Sequence, residues 1–472
     1  MTVRRSTVYC TASMNQLTNK LTELDRRYLW HPFTQMAEWL KSEPVIIDSA
    51  EGFFLIDTEG RRYIDGVSSL WCNVHGHRVK EIDEAIKSQI DKVAHSTLLG
   101  LGQSRSIELA EKLVGITPPG LEKVFYSDSG ATAVEIALKM AYQYFQNTGQ
   151  RTRTKFIALE NSYHGDTIGS VSLGGIDAFH SIFRPLLFET FFVPAPHPYR
   201  FDGSERNCAE YSLGRIEGLL RRRGDEIAAV VIEPLVQGAA GMIVHPRGFL
   251  EGVRRLTKEY GVLLIADEVA TGFGKTGRMF ACEIEQVCPD IMCLAKGITG
   301  GYLPLAATLT TEKIFDAFLG GAVEHKTFYH GHTYTGNALG CAAALASLEL
   351  FEKNGIIESL ASKIELMKRF FGGICSMPFV GDVRQCGLMG AVEVVADKAA
   401  KESFPSEYRV GAEFCCSMRS KGVMLRPLGD CVILMPPVAI DIELLGELLR
   451  IVSDSVENEL PGIIEKLQCR SS

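Results

Sequence analysis

Five short runs of apolar residues, at 124–126, 155–159, 227–232, 262–266 and 291–295, constrain this chain more than any other feature. A strand with one face in water alternates apolar and polar residues. Continuous runs separated by amphipathic helical stretches predict strands covered on both faces, hence a mostly parallel α/β sheet. With 472 residues the chain is too long for a single hydrophobic core, so a second, smaller lobe is expected.

Upstream of the first run, 53–57 and 62–65 are two extended segments separated by Thr58-Glu59-Gly60-Arg61, a hairpin signal. Downstream, a helical period over 342–352 is followed by strand-like segments at 383–395 and 432–435, read as a smaller α+β lobe. The expected division is a weakly ordered tail at 1–20, an N-terminal segment at 21–75 joining the small domain, a large domain at 76–345 and a small C-terminal domain at 346–472. The tail carries Arg4 and Arg5 but lacks the apolar stretch of a secretory signal. A start at Met14 is expected in preference to a transit peptide.

A formal net charge of -8 gives no general attraction to phosphate backbones or anionic lipids, and no window of some 18 apolar residues occurs. Neither nucleic acid nor membrane is an expected partner. The 13 cysteines are scattered, apart from the adjacent Cys415 and Cys416, without zinc-type spacing, and are read as reduced core residues of a cytoplasmic protein.

In an open parallel sheet, ligands bind beyond the carboxyl ends of the strands. The run 124–126 leads into Ser127-Asp128-Ser129-Gly130-Ala131-Thr132 and then a long helical pattern. Small residues at a helix start let backbone N–H groups approach an anion, although Ser and Asp serve equally as plain N-caps. The run 262–266 ends in Asp267-Glu268, and 291–295 ends in Lys296-Gly297. A structural ion pair is one reading of that acid and lysine. The other is a lysine that forms an imine with an aldehyde cofactor whose ring nitrogen the acid keeps protonated. The phosphate cradle upstream supplies the third element such a cofactor needs.

Gly272-Phe273-Gly274-Lys275-Thr276-Gly277 formally matches GxGxxG, but it does not follow the first strand of a βαβ unit, and Val269 stands where a nucleotide loop needs glycine. It is read as a backbone turn, not a nucleotide site. His75-Gly76-His77 and His330-Gly331-His332 lack an accompanying carboxylate motif, so no metal is expected.

With these residues laid out, the chain from about 21 to 460 resembles the class III, or ornithine-type, branch of fold-type I pyridoxal 5'-phosphate (PLP) aminotransferases. The resemblance rests on Asp267-Glu268-Val269 followed by Thr271-Gly272-Phe273-Gly274, on Ala295-Lys296-Gly297, and on Gly331-His332-Thr333-Tyr334-Thr335-Gly336-Asn337. Leu29-Trp30-His31-Pro32-Phe33-Thr34-Gln35-Met36 and Ser68-Ser69-Leu70-Trp71 resemble the biotin-pathway members of that branch. The resemblance implies Lys296 as Schiff-base lysine, Asp267 as partner of the pyridinium nitrogen, and Ser129, Gly130 and Ala131 around the phosphate. Tyr163 would stack on the ring as the third catalytic residue, with Val269 on the opposite face, and Thr333 would reach the phosphate from the second subunit of a homodimer. Arg426, in Leu425-Arg426-Pro427, would take a substrate carboxylate. Trp71, Phe33, Asp166 and Gly331 would complete the substrate site. The implied small-molecule substrates are 8-amino-7-oxononanoate and an amino donor, adenosylmethionine or lysine, with an ω-amino-acid aminotransferase as the alternative. Many adenosylmethionine-using members carry tyrosine at the position of Phe33.

Overall fold

The computed structural model describes the backbone of residues 3–471 and the side chains of 16–469. Its centre is a seven-stranded sheet built from β1 (Lys123–Ser127), β2 (Lys155–Leu159), β3 (Thr190–Val193), β4 (Ile227–Ile232), β5 (Leu263–Asp267), β6 (Ile291–Leu294) and β7 (Ala306–Thr310). The spatial order is β1-β7-β6-β5-β4-β2-β3. The pairs from β6 through β3 are parallel, whereas β7 runs antiparallel to both β6 and β1.

Every residue of β4, β5, β6 and β7 is buried, as continuous apolar runs require. Alternate side chains go to opposite faces. Leu263, Ile265, Ile291 and Cys293 pack under α1 (Gly130–Asn147), while Leu264, Ala266, Met292 and Leu294 join the larger core that includes Phe249, Val253 and Leu256. β7 carries Thr308 and Thr310, both buried, whose hydroxyls donate to the carbonyls of Ala133 and Asp290. Those bonds make two polar side chains tolerable inside the sheet.

The expected hairpin forms, with Phe54–Asp57 antiparallel to Arg62–Asp65. The latter also pairs in parallel with Val423–Met424, which ties the first hundred residues to the C-terminal region. A second four-stranded antiparallel sheet contains Val380–Cys386, Met389–Val394, Arg426–Leu428 and Cys431–Leu434. The segment expected as strand over 383–395 is thus a hairpin. α2 (Ala338–Lys353) runs unbroken through residue 345.

The backbone from Val3 belongs to a helix, Val3–Tyr28. Thr18 pairs with the hydroxyl of Thr58, and Thr22 is buried. Residues 1 and 2 lie outside the described residues. Among the cysteines, Cys208, Cys282, Cys293, Cys341, Cys415 and Cys431 are buried, but Cys375 and Cys416 are exposed rather than core residues. Among the described residues no helix is long and apolar enough to cross a membrane.

Candidate active site

The carboxyl ends of β4, β5 and β6 bring three ionisable side chains together. Cys293 pairs with Asp267 in the register, and Ala266 pairs with Ile232. Asp267 is therefore the last residue of β5, Glu233 stands one position beyond β4 beside it, and Lys296 follows β6 two residues after Leu294. Lys296 has φ 48, a left-handed conformation that costs a non-glycine residue of order 1–3 kcal/mol and concentrates at functional sites.

Lys296 Nζ lies 4.9 Å from the centroid of the Trp71 ring. Trp71 sits in a turn where Ser68, Ser69, Leu70 and Trp71 all have positive φ. Asp65 holds this turn by accepting from the Ser69 amide at 2.8 Å and its hydroxyl at 2.7 Å. Burial pushes the Lys296 amine below the usual lysine range, against the carboxylates of Asp267 and Glu233 and the Cys72 thiol. A neutral amine is what a nucleophile and proton carrier requires.

Asp267 is buried, with Oδ2 2.7 Å from His164 Nδ1 and Oδ1 accepting from the Val269 amide at 3.1 Å. Burial works to lower the affinity of His164 for its proton, but the bond and charge of Asp267, aided by Glu233, outweigh it and the imidazole is shifted up. Glu233 is buried too, accepting from the backbone amides of Tyr163 at 3.1 Å and Gly238 at 2.9 Å. Burial pushes its carboxyl up to about 7.

At the other end of the site, Ser129 caps α1 through a capping box with Thr132, whose hydroxyl also donates to Asp128. The N–H groups of Gly130 and Ala131 belong to the first turn, where no intrahelical acceptor exists, so they are donors for an anion. Space here is tight. A Cβ on Gly130 would fall 2.5 Å from Val269 Cγ1, and one on Gly165 would fall 2.4 Å from Ala131 Cβ.

Tyr163 stands beside these groups, its hydroxyl donating to Asp166 at 2.7 Å. Burial and that bond push the phenol well above its ordinary value, so it stays protonated. Phe33, exposed and with φ 50, meets Tyr163 edge-on at 6.5 Å. Phe33, Val67, Leu70 and Arg426 line a cleft of about 1800 Å³. Leu70 faces this cleft while its neighbour Trp71 is buried over Lys296. Arg426 has no ion-pair partner among the described residues. Gly331 and Thr333 are exposed. Their segment is anchored to its own chain by Lys139, which bonds to His330, rather than to Ser129 or Gly130.

The aminotransferase class-III family model matches residues 35–456. The chain belongs to the class III aminotransferases. Adenosylmethionine-8-amino-7-oxononanoate aminotransferases from Nitratidesulfovibrio vulgaris and Geobacter sulfurreducens are similar to it. The first is 57% identical over 91% of this chain and 80% of its own length, the second 54% identical over 90% and 95%. Among solved structures, the enzyme of that name from Methanocaldococcus jannaschii superposes with a TM-score of 0.89 at 48% identity, covering 93% of this chain and 98% of that one. The omega transaminase of Pseudomonas jessenii in complex with PMP gives 0.89 at 30% identity, covering 95% and 99%. The fold is thus that of fold-type I transaminases, and the enzyme is a PLP-dependent aminotransferase.

The residues present fit that cofactor. A glycine-lined helix start, a buried carboxylate braced by histidine and a desolvated lysine are the three groups a phosphorylated pyridine aldehyde needs. Two buried residues of this class III site escaped the reading of the sequence. Glu233 follows an apolar run as Asp267 and Lys296 do, so the same rule could have found it. Lys275, read as part of a turn, is fully buried with its amine donating to Ser68 Oγ at 2.9 Å and to the Asn73 carbonyl at 3.3 Å.

Proposed function

We propose that this aminotransferase converts 8-amino-7-oxononanoate to 7,8-diaminononanoate, a step of biotin biosynthesis, with adenosylmethionine as amino donor. Arg426 carries the reading. Its guanidinium faces the cleft unpaired among the described residues, together with the apolar side chains of Phe33, Val67 and Leu70. A long aliphatic acid needs that combination of one fork-shaped cation and apolar wall.

Bound PLP supplies the carbonyl carbon that receives the amine and the ring that delocalises the electrons of the broken C–H bond. The protein does the rest. Ser129, Gly130 and Ala131 would hold the phosphate, and Val269 and Tyr163, the latter fixed through Asp166, would confine the ring. Asp267, oriented by His164 and the Val269 amide, would be the acceptor for the ring N–H. Lys296 Nζ, neutral part of the time, would carry the proton from the donor's α-carbon to the carbon that receives the amine, and in the second half-reaction from that carbon to C7 of the keto acid. Trp71 packs against the amine, its ring centroid 4.9 Å from Nζ.

The working form is a homodimer in a reducing compartment such as the cytoplasm. Leu99, Leu101, Tyr329 and Tyr334 are large exposed apolar residues, and Tyr334 lies on the segment that carries Thr333. Pairing with a second copy would cover them and bring Thr333 of one subunit to the phosphate of the other.

The test is a donor panel with 8-amino-7-oxononanoate, comparing adenosylmethionine, lysine and ornithine. Product with adenosylmethionine is expected. Turnover of ω-amino acids with no diaminononanoate from any donor would replace this reading with an ω-amino-acid aminotransferase.

A further inference from the structure

Glu233 has no part in the chemistry described above, yet it is a buried acid beside Asp267. It is 5% exposed, and both carboxylate oxygens are fixed by backbone donors on two different segments, Tyr163 and Gly238. The first carries the ring-facing Tyr163 and His164. The second packs under Trp71, since a Cβ on Gly238 would lie 3.1 Å from that indole. In register, Glu233 and Asp267 follow the paired Ile232 and Ala266 on adjacent parallel strands, whose backbones run about 4.8 Å apart.

His164 supplies the second observation. Its Nδ1 is bonded to Asp267, but Nε2 is buried with no hydrogen-bond partner. An imidazolium there would leave one N–H unsatisfied, so its stability rests on the Asp267 carboxylate bonded at Nδ1 and on the charge of Glu233 acting through space. The charged or titratable groups facing Glu233 are His164 and Asp267, together with Lys296, whose amine feels Glu233, and Tyr163, whose phenol does as well.

We propose that Glu233 is a positioning residue that sets the charge of the Asp267–His164 pair and of Lys296, acting as the third member of a buried carboxylate–imidazole–carboxylate array. Ionised Glu233 favours a cationic His164, the imidazole bonded to Asp267. It also favours a protonated Lys296. As the pH falls through the range where Glu233 takes up its proton, about 7, both effects weaken. Its two backbone bonds persist in either state, because a protonated carboxyl still accepts.

The proposal rests on Asp267 facing the cofactor's ring nitrogen, but its first test does not use the cofactor. Histidine-labelled apoenzyme is titrated by NMR, with His164→Asn assigning the His164 signals. In the wild type, the His164 resonance should show an inflection near neutral pH from the neighbouring carboxyl. In Glu233→Gln, that inflection should vanish and the His164 midpoint should fall by about one unit, the scale of one lost charge interaction. In the PLP-loaded enzyme, the pH midpoint of the visible absorption band should move down in the same variant, while Glu233→Asp, which keeps the charge, should restore it. A folded Glu233→Gln with unmoved midpoints would reduce Glu233 to a backbone acceptor and overturn the proposal. If that variant does not fold, absence of the wild-type inflection overturns it equally. A protein without any visible band on loading would count against the cofactor reading, and the apoenzyme titration would still decide on Glu233.

Discussion

Replacing Gly130 by alanine should weaken PLP binding although helix propensity points the other way. Alanine at an exposed helix position stabilises by up to about 1 kcal/mol relative to glycine. Here the new Cβ would fall 2.5 Å from Val269 Cγ1 and 3.1 Å from Cγ2, whereas carbon atoms pack best at about 3.5–4.0 Å. Val269 has little room to yield. It is β-branched, and its amide donates to Asp267 Oδ1 at 3.1 Å. Overpacking of this kind costs about 1–3 kcal/mol. The strain is relieved by lifting the helix start or pushing Val269 toward the ring plane, and either movement spoils the cofactor site, so affinity should drop roughly 5- to 150-fold. Val269→Ala removes both methyls and should weaken PLP through lost contact. In the double variant the alanine Cβ enters the vacated space, so its loss should be smaller than the sum of the single losses by about 1–2 kcal/mol. Equilibrium PLP titration of the four apoenzymes by absorbance measures this directly, with thermal midpoints in the absence of cofactor separating strain in the protein from loss of binding. Additivity within about 0.5 kcal/mol would refute the reasoning, because the two positions would then not touch.

Three further outcomes are expected. Arg426→Lys should raise KM for the keto acid despite conserved charge, by about 1–2 kcal/mol of lost bidentate bonding, and unchanged steady-state constants would move the carboxylate site elsewhere. Phe33→Tyr puts a hydroxyl at the cleft mouth and should raise kcat/KM for adenosylmethionine up to about tenfold but leave lysine unaffected, whereas equal changes with both donors would show that this ring does not discriminate. Lys275→Met should gain stability most at low pH. Burial lowers the Lys275 amine from 10.5 to about 7, so the unfolded chain binds more protons between those values, the wild type recovers stability as the pH climbs through that window, and the variant's advantage in urea midpoint should fade with it. An advantage independent of pH would mean that burial does not lower the Lys275 amine in the native state.

The fold was legible where burial is uniform and obscure where polar groups are buried in pairs with the backbone. β4 reads as strand because all six residues are apolar and all six are covered. β7 escapes such a reading because Thr308 and Thr310 resemble surface residues until their hydroxyls are seen to donate to Ala133 and Asp290. Lys275 was missed for a related reason. Composition marks Lys as solvent-facing, and only tertiary contacts show that Lys275 is held by Ser68 and Asn73, whereas Glu233 directly follows a buried run and lay within reach of the strand-end rule. Asp267 and Lys296 were found because the residue that ends a buried parallel strand projects into the crevice whatever its type. That rule applies strand by strand, and the register then says which strand ends are neighbours. Since Ile232 pairs with Ala266, the acid after β4 falls beside the acid that closes β5. Among the described residues the cationic-capable side chain bonded to Asp267 is His164, and Glu233 acts on that imidazole through space. The site's charge is therefore a property of the three residues together, and a substitution at any one of them should be read through the titration of the other two.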